Sequence, residues 1–198
     1  MIPGHIHHSA APDHRRNTRM LEPRGKRILV LGLGNTLLQD EGVGVAALLR
    51  VEHALTGNHA AEEGGILPDH ITLLDGGVMG LELLAYIEAA DAVLILDAVQ
   101  TGAPPGTLVR LENHEIPAVV ALKMSIHEVG LQETLAMCKF KGTLPGTIVL
   151  WGVVPAQLNL GLELSPVVTS QLEHLVNAAL DELASWGVSA RVKRPAAS

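Results

Sequence analysis

Continuous runs of apolar residues recur along the chain and predict strands that are buried on both faces. Four such runs are RILVLGLG at residues 27–34, ITLLD at residues 71–75, AVLILDAV at residues 92–99 and TIVLWGVV at residues 147–154. A further run, TLVRLE at residues 107–112, follows the turn sequence TGAPPG. That short link has no room for a crossover helix, so we expect this strand to be antiparallel to its neighbour and near one edge of the sheet.

Between the strands, the apolar residues follow a helical period. Residues 42–55 and 80–90 predict the first two helices. In the first of these we expect the core-facing side to be supplied by Val43, Ala46, Ala47, Leu49 and Val51. The capping-box spacing of Ser125 and Glu128 predicts a third helix that runs to about Cys138. Ser165 before Pro166 predicts the N-cap of a fourth helix that ends near Trp186.

Strands that alternate with helices predict the α/β class. We expect a three-layer α/β/α sandwich around a mixed, mostly parallel five-stranded sheet. Residues 27–188 would form one domain, because the sequence contains no internal repeat and 198 residues suit a single core. Residues 1–26 are polar and aperiodic, which predicts a disordered N-terminal extension, and residues 189–198 form a basic tail.

Composition and charge argue against nucleic-acid binding and against a membrane-spanning protein. The net charge is −7, and both ends are basic, so the body between them is strongly acidic. With only 2% aromatic residues it lacks the cationic stripe and the stacking rings of a nucleic-acid surface. No apolar run approaches the ~20 residues that a membrane helix needs. A single cysteine, Cys138, favours the cytoplasm, and we expect a monomer.

The loop LGLGNTLLQDEGVG at residues 31–44 has features of a phosphate-binding loop and of a cation-binding loop. In the dinucleotide fingerprint G-x-G-x-x-G, Gly32 and Gly34 match, but Leu37 occupies the third glycine position. The loop then ends in Asp40 and Glu41, which would repel a phosphate from the helix N-terminus. The pattern therefore favours a cation.

Three acids follow the carboxyl ends of predicted strands, where open α/β sheets carry their chemistry. They are Glu41, Asp75 and Asp97. An imidazole is supplied by His127, in the first turn of the third helix, where the positive helix end favours the neutral form that binds metals. The acids also have plainer interpretations: Asp40 would cap the first helix, Glu41 would favour the positive end of that helix, and Asp75 would bond the Gly76–Gly77 turn.

Other hydrolytic chemistries are less well supported. The sequence lacks the H-E-x-x-H motif of zinc proteases and the G-x-S-x-G elbow of serine hydrolases. Cys138 lies at helical spacing in LAMCKF, which favours a packed thiol over a nucleophile.

The same residues carry a family resemblance. GLGNTLLQDEGVGV, LDGGVMGLELL, LILDAV, PGTLVRLE, KMSIHEVGL and GVVP followed by GLELSPVV resemble, in order, the sequence blocks of the hydrogenase maturation proteases. The resemblance runs from about Arg27 to Val188. It implies a mixed five-stranded sheet between helices and an endopeptidase that removes the C-terminal peptide from the precursor large subunit of a nickel–iron hydrogenase.

The resemblance also implies a nickel site formed by Glu41, Asp97 and His127. The nickel would be delivered by the substrate and would act as a recognition handle. Because no Ser or Cys nucleophile is evident, a metal-positioned water is favoured, with Asp40 or Asp75 as candidate base. Two alternatives are a non-proteolytic nickel-binding assembly factor on the same scaffold and a nucleotide-binding α/β enzyme.

Overall fold

The computed structural model describes residues 25–57, 67–116 and 126–188, and of residues 126–129 it describes the backbone alone. The strands are β1 (Ile28–Leu33), β2 (Ile71–Gly77), β3 (Ala92–Ala98), β4 (Leu108–Glu112) and β5 (Thr147–Val153). The helices are α1 (Val43–Thr56), α2 (Leu84–Ala89), α3 (Ile126–Lys141) and α4 (Pro166–Ser185). Two 3-10 turns, Gln39–Gly42 and Leu81–Leu83, precede α1 and α2.

The strands form one mixed sheet in the order β2-β1-β3-β5-β4. β2, β1, β3 and β5 are parallel, whereas β4 is antiparallel to β5 and occupies an edge. The predicted fold class and the predicted direction and position of β4 are therefore confirmed. The physical reason is the short link after β3, which returns the chain to the sheet without a helix.

Helices cover both faces of the sheet and create two apolar cores. Ile28 and Val30 of β1 pack with residues of α1 and α4 on one face. Leu29 and Leu31 pack with residues of α2 and α3 on the other. Successive side chains of each buried strand point to opposite faces of the sheet and so contribute to both cores, as the continuous apolar runs predicted.

The predicted core face of α1 is partly wrong. Val43, Ala47 and Val51 are buried as expected, but Leu49 is 58% exposed and Leu48 takes its place at 3%. Leu48 lies one turn from Val51 and falls on the same stripe of the helix. Residues 45–49 are all apolar, so the sequence pattern alone did not distinguish the two leucines.

Several predicted boundaries moved by a few residues. The second helix begins as the 3-10 turn Leu81–Leu83 before α2, and α3 continues three residues beyond Cys138. The predicted N-cap of α4 is confirmed, because Ser165 Oγ accepts a hydrogen bond from Val168 N at 3.4 Å. The proposed cap at Ser125, nearly all of the N-terminal extension and the basic tail lie outside the described residues.

Within the described ranges, no helix combines the length and the apolar character needed to cross a lipid bilayer.

Candidate active site

Asp97 lies near the carboxyl end of β3, at the edge of the sheet where the four parallel strands end. It is 1% exposed, and its Oδ1 accepts a hydrogen bond from Ala98 N at 2.7 Å. Because side chains alternate along β3, Asp97 lies on the same face of the sheet as Val93 and Ile95, and this face packs against α2 and α3. An ionised carboxylate in this place is costly in free energy unless neighbouring groups neutralise it.

Glu41 lies in the 3-10 turn between β1 and α1 and is 8% exposed. Glycines bring this turn onto the ends of the central strands. A Cβ at Gly34, where φ is +116°, would lie 1.7 Å from the Glu41 carbonyl oxygen. A Cβ at Gly44 would lie 2.2 Å from the Leu96 carbonyl oxygen. The backbone that carries Glu41 therefore packs against the end of β3, beside Asp97.

His127 is the second residue of α3, in the first turn of that helix as predicted. The start of α3 packs closely on the loop that follows β2. A Cβ at Gly130 would lie 2.5 Å from the Gly80 Cα, and Thr134 Oγ1 donates a hydrogen bond to the Gly80 carbonyl at 3.2 Å. α3 therefore begins at the same edge of the sheet as the two buried carboxylates.

The side chain of His127 is outside the part of the chain that the structure describes. Among the side chains that are described, no three His, Cys, Asp or Glu residues form a group able to hold a metal ion. The predicted set of Glu41, Asp97 and His127 therefore stays a prediction. The backbone positions of all three residues at one edge of the sheet are compatible with it.

Asp40 is fully buried, and protein donors surround its carboxylate. Oδ2 accepts hydrogen bonds from Ala156 N at 2.9 Å and Gln157 N at 2.8 Å. Ser165 contributes twice, since its Oγ donates to Oδ2 at 2.8 Å and its N donates to Oδ1 at 2.6 Å. We call these four bonds the Asp40 clamp. They join the turn that carries Glu41 to the loop after β5.

The sequence allowed Asp40 to cap α1, and that interpretation is wrong. Gly42 is the N-cap of α1 and no side chain caps it, whereas the Asp40 carboxylate reaches the N-cap of α4 at Ser165. The sequence contains no local signal for this partnership, since Leu-Ser-Pro indicates a helix start but not what Ser165 contacts. Four protein donors occupy this fully buried carboxylate, so it is not accessible to a substrate or to an attacking water.

Asp75 is exposed at the end of β2, and its Oδ1 accepts a hydrogen bond from Gly77 N at 3.0 Å. The predicted turn contact is thus confirmed. Asp75 lies beside Gly32 of β1. It is two residues after Leu73 on the same strand, so both residues lie on the face of the sheet that α1 covers. Asp97 has the opposite face and is two strands away, roughly 10 Å across the sheet. The structure does not bring these two carboxylates onto one face.

Cys138 is fully buried in the core between α3 and the sheet, as predicted. Burial raises the pKa of its thiol, and the nearby Glu88 carboxylate raises it further. A thiol that stays protonated is a weak nucleophile, so this residue is a packing group.

Comparison with known proteins then decides the family. A model of the hydrogenase maturation proteases matches residues 49–182, which is more than half of the chain. The chain belongs to the hydrogenase maturation protease family. As a member of this family it is a hydrolase that cleaves peptide bonds in the maturation of hydrogenase.

Relatives of known sequence extend the similarity of this maturation protease towards its N-terminus. It is 39% identical over 165 residues to the hydrogenase 2 maturation protease of Escherichia coli, covering 83% of this chain and 94% of that one. It is also 39% identical over 165 residues to the hydrogenase expression/formation protein HupD of Rhodobacter capsulatus, covering 82% and 74%.

Solved structures confirm the fold of the maturation protease. The hydrogenase maturating endopeptidase HybD from Escherichia coli aligns with a TM-score of 0.75 at 38% identity, covering 83% of this chain and 96% of that one. A [NiFe] hydrogenase maturation protease HybD from Thermococcus kodakarensis aligns with a TM-score of 0.59 at 27% identity, covering 80% and 99%.

Proposed function

We propose that this protease removes the C-terminal peptide from the precursor large subunit of a nickel–iron hydrogenase, acting as a monomer in the cytoplasm. The supporting observation is the family membership, together with the buried carboxylates at the carboxyl edge of the sheet. The relative from Thermococcus kodakarensis is a maturation protease of a nickel–iron hydrogenase, which favours nickel as the metal of the substrate.

We further propose that Glu41, Asp97 and His127 contact nickel that arrives with the precursor. The donor types fit, because carboxylate oxygens and a neutral imidazole nitrogen are common ligands of divalent transition metals. The burial of Glu41 and Asp97 also fits, since a bound cation would offset the free-energy cost of their charge. A divalent cation held by these residues would polarise the scissile carbonyl as a Lewis acid or lower the pKa of a bound water.

The candidate proton acceptor in this proposal is Asp75. Its carboxylate lies on the opposite face of the sheet from Asp97, roughly 10 Å away, so it would act on a water or substrate group beyond the end of the sheet rather than on one beside Asp97. The Oδ1 of Asp75 accepts a hydrogen bond from Gly77 N, while the residue is exposed to solvent near the end of β2. Asp40, the other candidate that the sequence suggested, is held in the Asp40 clamp and has a positioning role. Water is the proposed nucleophile, since the thiol of Cys138 is buried in the core.

In the experiment that tests this proposal, the purified protein is incubated with nickel-loaded precursor, and the mass of the large subunit is then measured by mass spectrometry. We expect the mass to fall by that of the C-terminal peptide. Asp97→Asn and His127→Ala should each slow cleavage by about 100-fold or more, since loss of even an outer-sphere partner of a metal costs roughly 10–100-fold. Asp75→Asn should lower kcat with little change in KM if it accepts the proton.

Matched controls are Asp69→Asn and His174→Ala, which alter exposed residues away from the carboxyl edge and should leave cleavage unchanged. Cleavage at the normal rate by both Asp97→Asn and His127→Ala would contradict the proposed metal contacts. Binding of the precursor without loss of mass would identify a non-proteolytic assembly factor. Thermal stabilisation by a nucleotide would instead support the nucleotide-binding alternative.

A further inference from the structure

Four leucines in the loops after β1 and β5 are exposed next to the candidate site. Leu160 is 84% exposed and Leu162 is 76% exposed, and Leu37 and Leu158 are exposed as well. We call these four residues the leucine rim. Single exposed leucines are ordinary, but a cluster of them next to a functional site is typical of a surface that binds a partner.

Backbone hydrogen bonds bring the two parts of the leucine rim together. Gly161 N donates to the Leu37 carbonyl at 3.0 Å, and Gln39 N donates to the Gly161 carbonyl at 2.9 Å. Leu160 and Leu162 flank Gly161, so they lie beside Leu37. Next to them is a groove of about 150 Å³, which Leu49, exposed on α1, helps to line with Leu162. The apolar surface therefore extends from the loops onto α1.

The loops that the structure describes at this edge of the sheet carry charge of one sign only. The described segments are residues 34–42, 75–83, 97–106 and 153–165, and none of them contains lysine or arginine. Together they carry six acids: Asp40, Glu41, Asp75, Glu82, Asp97 and Glu163. A complementary partner would present an apolar surface with positive charge beside it. A second copy of this chain would bring acids against acids, which disfavours self-association through this surface.

We propose that the leucine rim docks the protein substrate of this protease through an apolar polypeptide segment that lies beside a positively charged group. This proposal rests on the proposed function, because it takes the hydrogenase precursor as the partner. It assigns the recognition of the polypeptide to residues that are distinct from the proposed nickel contacts.

The Asp40 clamp connects this docking surface to the candidate site. It anchors the loop at Ala156, Gln157 and Ser165, on both sides of the exposed leucines. The other end of the clamp is the turn that carries Glu41. A polypeptide held on the leucine rim is therefore positioned relative to Glu41 through a buried, hydrogen-bonded connection.

The experiment compares the full-length protein with the double variant Leu160→Ser/Leu162→Ser. Its matched control is Met137→Ser/Phe140→Ser, which alters two exposed apolar residues near the end of α3, away from the carboxyl edge. We call Leu160→Ser/Leu162→Ser the rim variant. With nickel-loaded precursor, we expect its KM for cleavage and its directly measured Kd for binding to be about tenfold or more above the wild-type values, since buried apolar anchors dominate interface free energy. We expect kcat to stay within about twofold, and the control variant to resemble wild type in all three constants.

Each outcome is decisive. A rim variant with the Kd and KM of the control overturns the proposal while leaving the protease function intact. If the wild type binds precursor without cleaving it and the rim variant loses that binding, docking stands and the proposed function fails. If light scattering shows that the rim substitutions dissociate a dimer and leave the Kd for precursor unchanged, the occupant is a second copy and the proposal is wrong. If the wild type neither binds nor cleaves, both proposals fail.

Discussion

At the scale of single residues, Asp40 and Glu41 are neighbours in sequence but have different surroundings. Asp40 is enclosed by four donors from the loop after β5 and from Ser165. Glu41 lies over the ends of β1 and β3, held there by the close approach of Gly34 and Gly44. The Asp40 clamp is thus one buried polar contact that joins two segments more than a hundred residues apart in the chain.

We expect Asp40→Asn to destabilise the protein by about 3 kcal/mol, because the amide nitrogen would face backbone N–H groups and leave buried donors unsatisfied. Urea unfolding measures this change, with the exposed Asp69→Asn as a control near zero. Ser165→Ala should cost about 2 kcal/mol, since it removes the hydroxyl bond to Asp40 and the N-cap bond from Val168 N but leaves the backbone contact. If Asp40→Asn abolished cleavage at wild-type stability, Asp40 would be the base after all.

Gly44 illustrates a position where any side chain is excluded. A Cβ there would meet two carbonyl oxygens, at 2.2 Å on Leu96 and 2.4 Å on Leu33. Gly44→Ala gains about 1 kcal/mol of helix propensity but forces α1 away from the sheet, at a cost of roughly 3 kcal/mol or more. We therefore expect net destabilisation by denaturant unfolding. Gly146→Ala, where the nearest atom is 4.0 Å away, should be close to neutral.

At the scale of elements, α1 shows how tertiary contacts select a helix face. Leu48 packs in the core with α4, whereas Leu49 faces the groove beside the leucine rim. We expect Leu48→Ala to lower the free energy of unfolding by about 2–4 kcal/mol, because it leaves a cavity. Leu49→Ala should change it by less than about 0.5 kcal/mol. Equal losses from both substitutions, measured by chemical denaturation, would contradict this assignment of the helix face.

The sequence predicted the order and type of the elements well. Each buried strand was marked by a continuous apolar run, and Ser165 with Pro166 marked the start of α4, because these signals are local. The exact start of α2 and the end of α3 were less accurate. Helix ends depend on hydrogen bonds and packing with other segments, which a linear pattern does not contain.

At the scale of the whole molecule, ion pairs connect distant parts of the chain. Arg27, before β1, holds Asp91, before β3, through three hydrogen bonds. These bonds lower the pKa of Asp91 to about 2. At the β4 edge of the sheet, Arg110 donates two hydrogen bonds to Glu182 of α4. Burial opposes the change, but these bonds lower the pKa of the Glu182 carboxyl as well.

These lowered pKa values give the stability a defined dependence on pH. The unfolded chain binds a proton at Asp91 near pH 3.8, before the folded protein does, so the contribution is complete above that pH and declines towards pH 2. We expect the urea midpoint to fall with decreasing pH in this range. The difference between wild type and Asp91→Asn should be largest above pH 4 and should disappear only below pH 2, where Asp91 is protonated in both states. A difference that did not vary with pH would contradict this origin.

By itself, the sequence determined the α/β class, the edge position of β4 and the family resemblance, because all three depend on the local spacing of apolar residues and short motifs. Only the tertiary structure decided which leucine of α1 is buried and what the Asp40 carboxylate contacts. It also brought Leu37 beside Leu160 and Leu162. These features join segments far apart in the chain, and such pairings are set by packing and hydrogen-bond geometry in three dimensions.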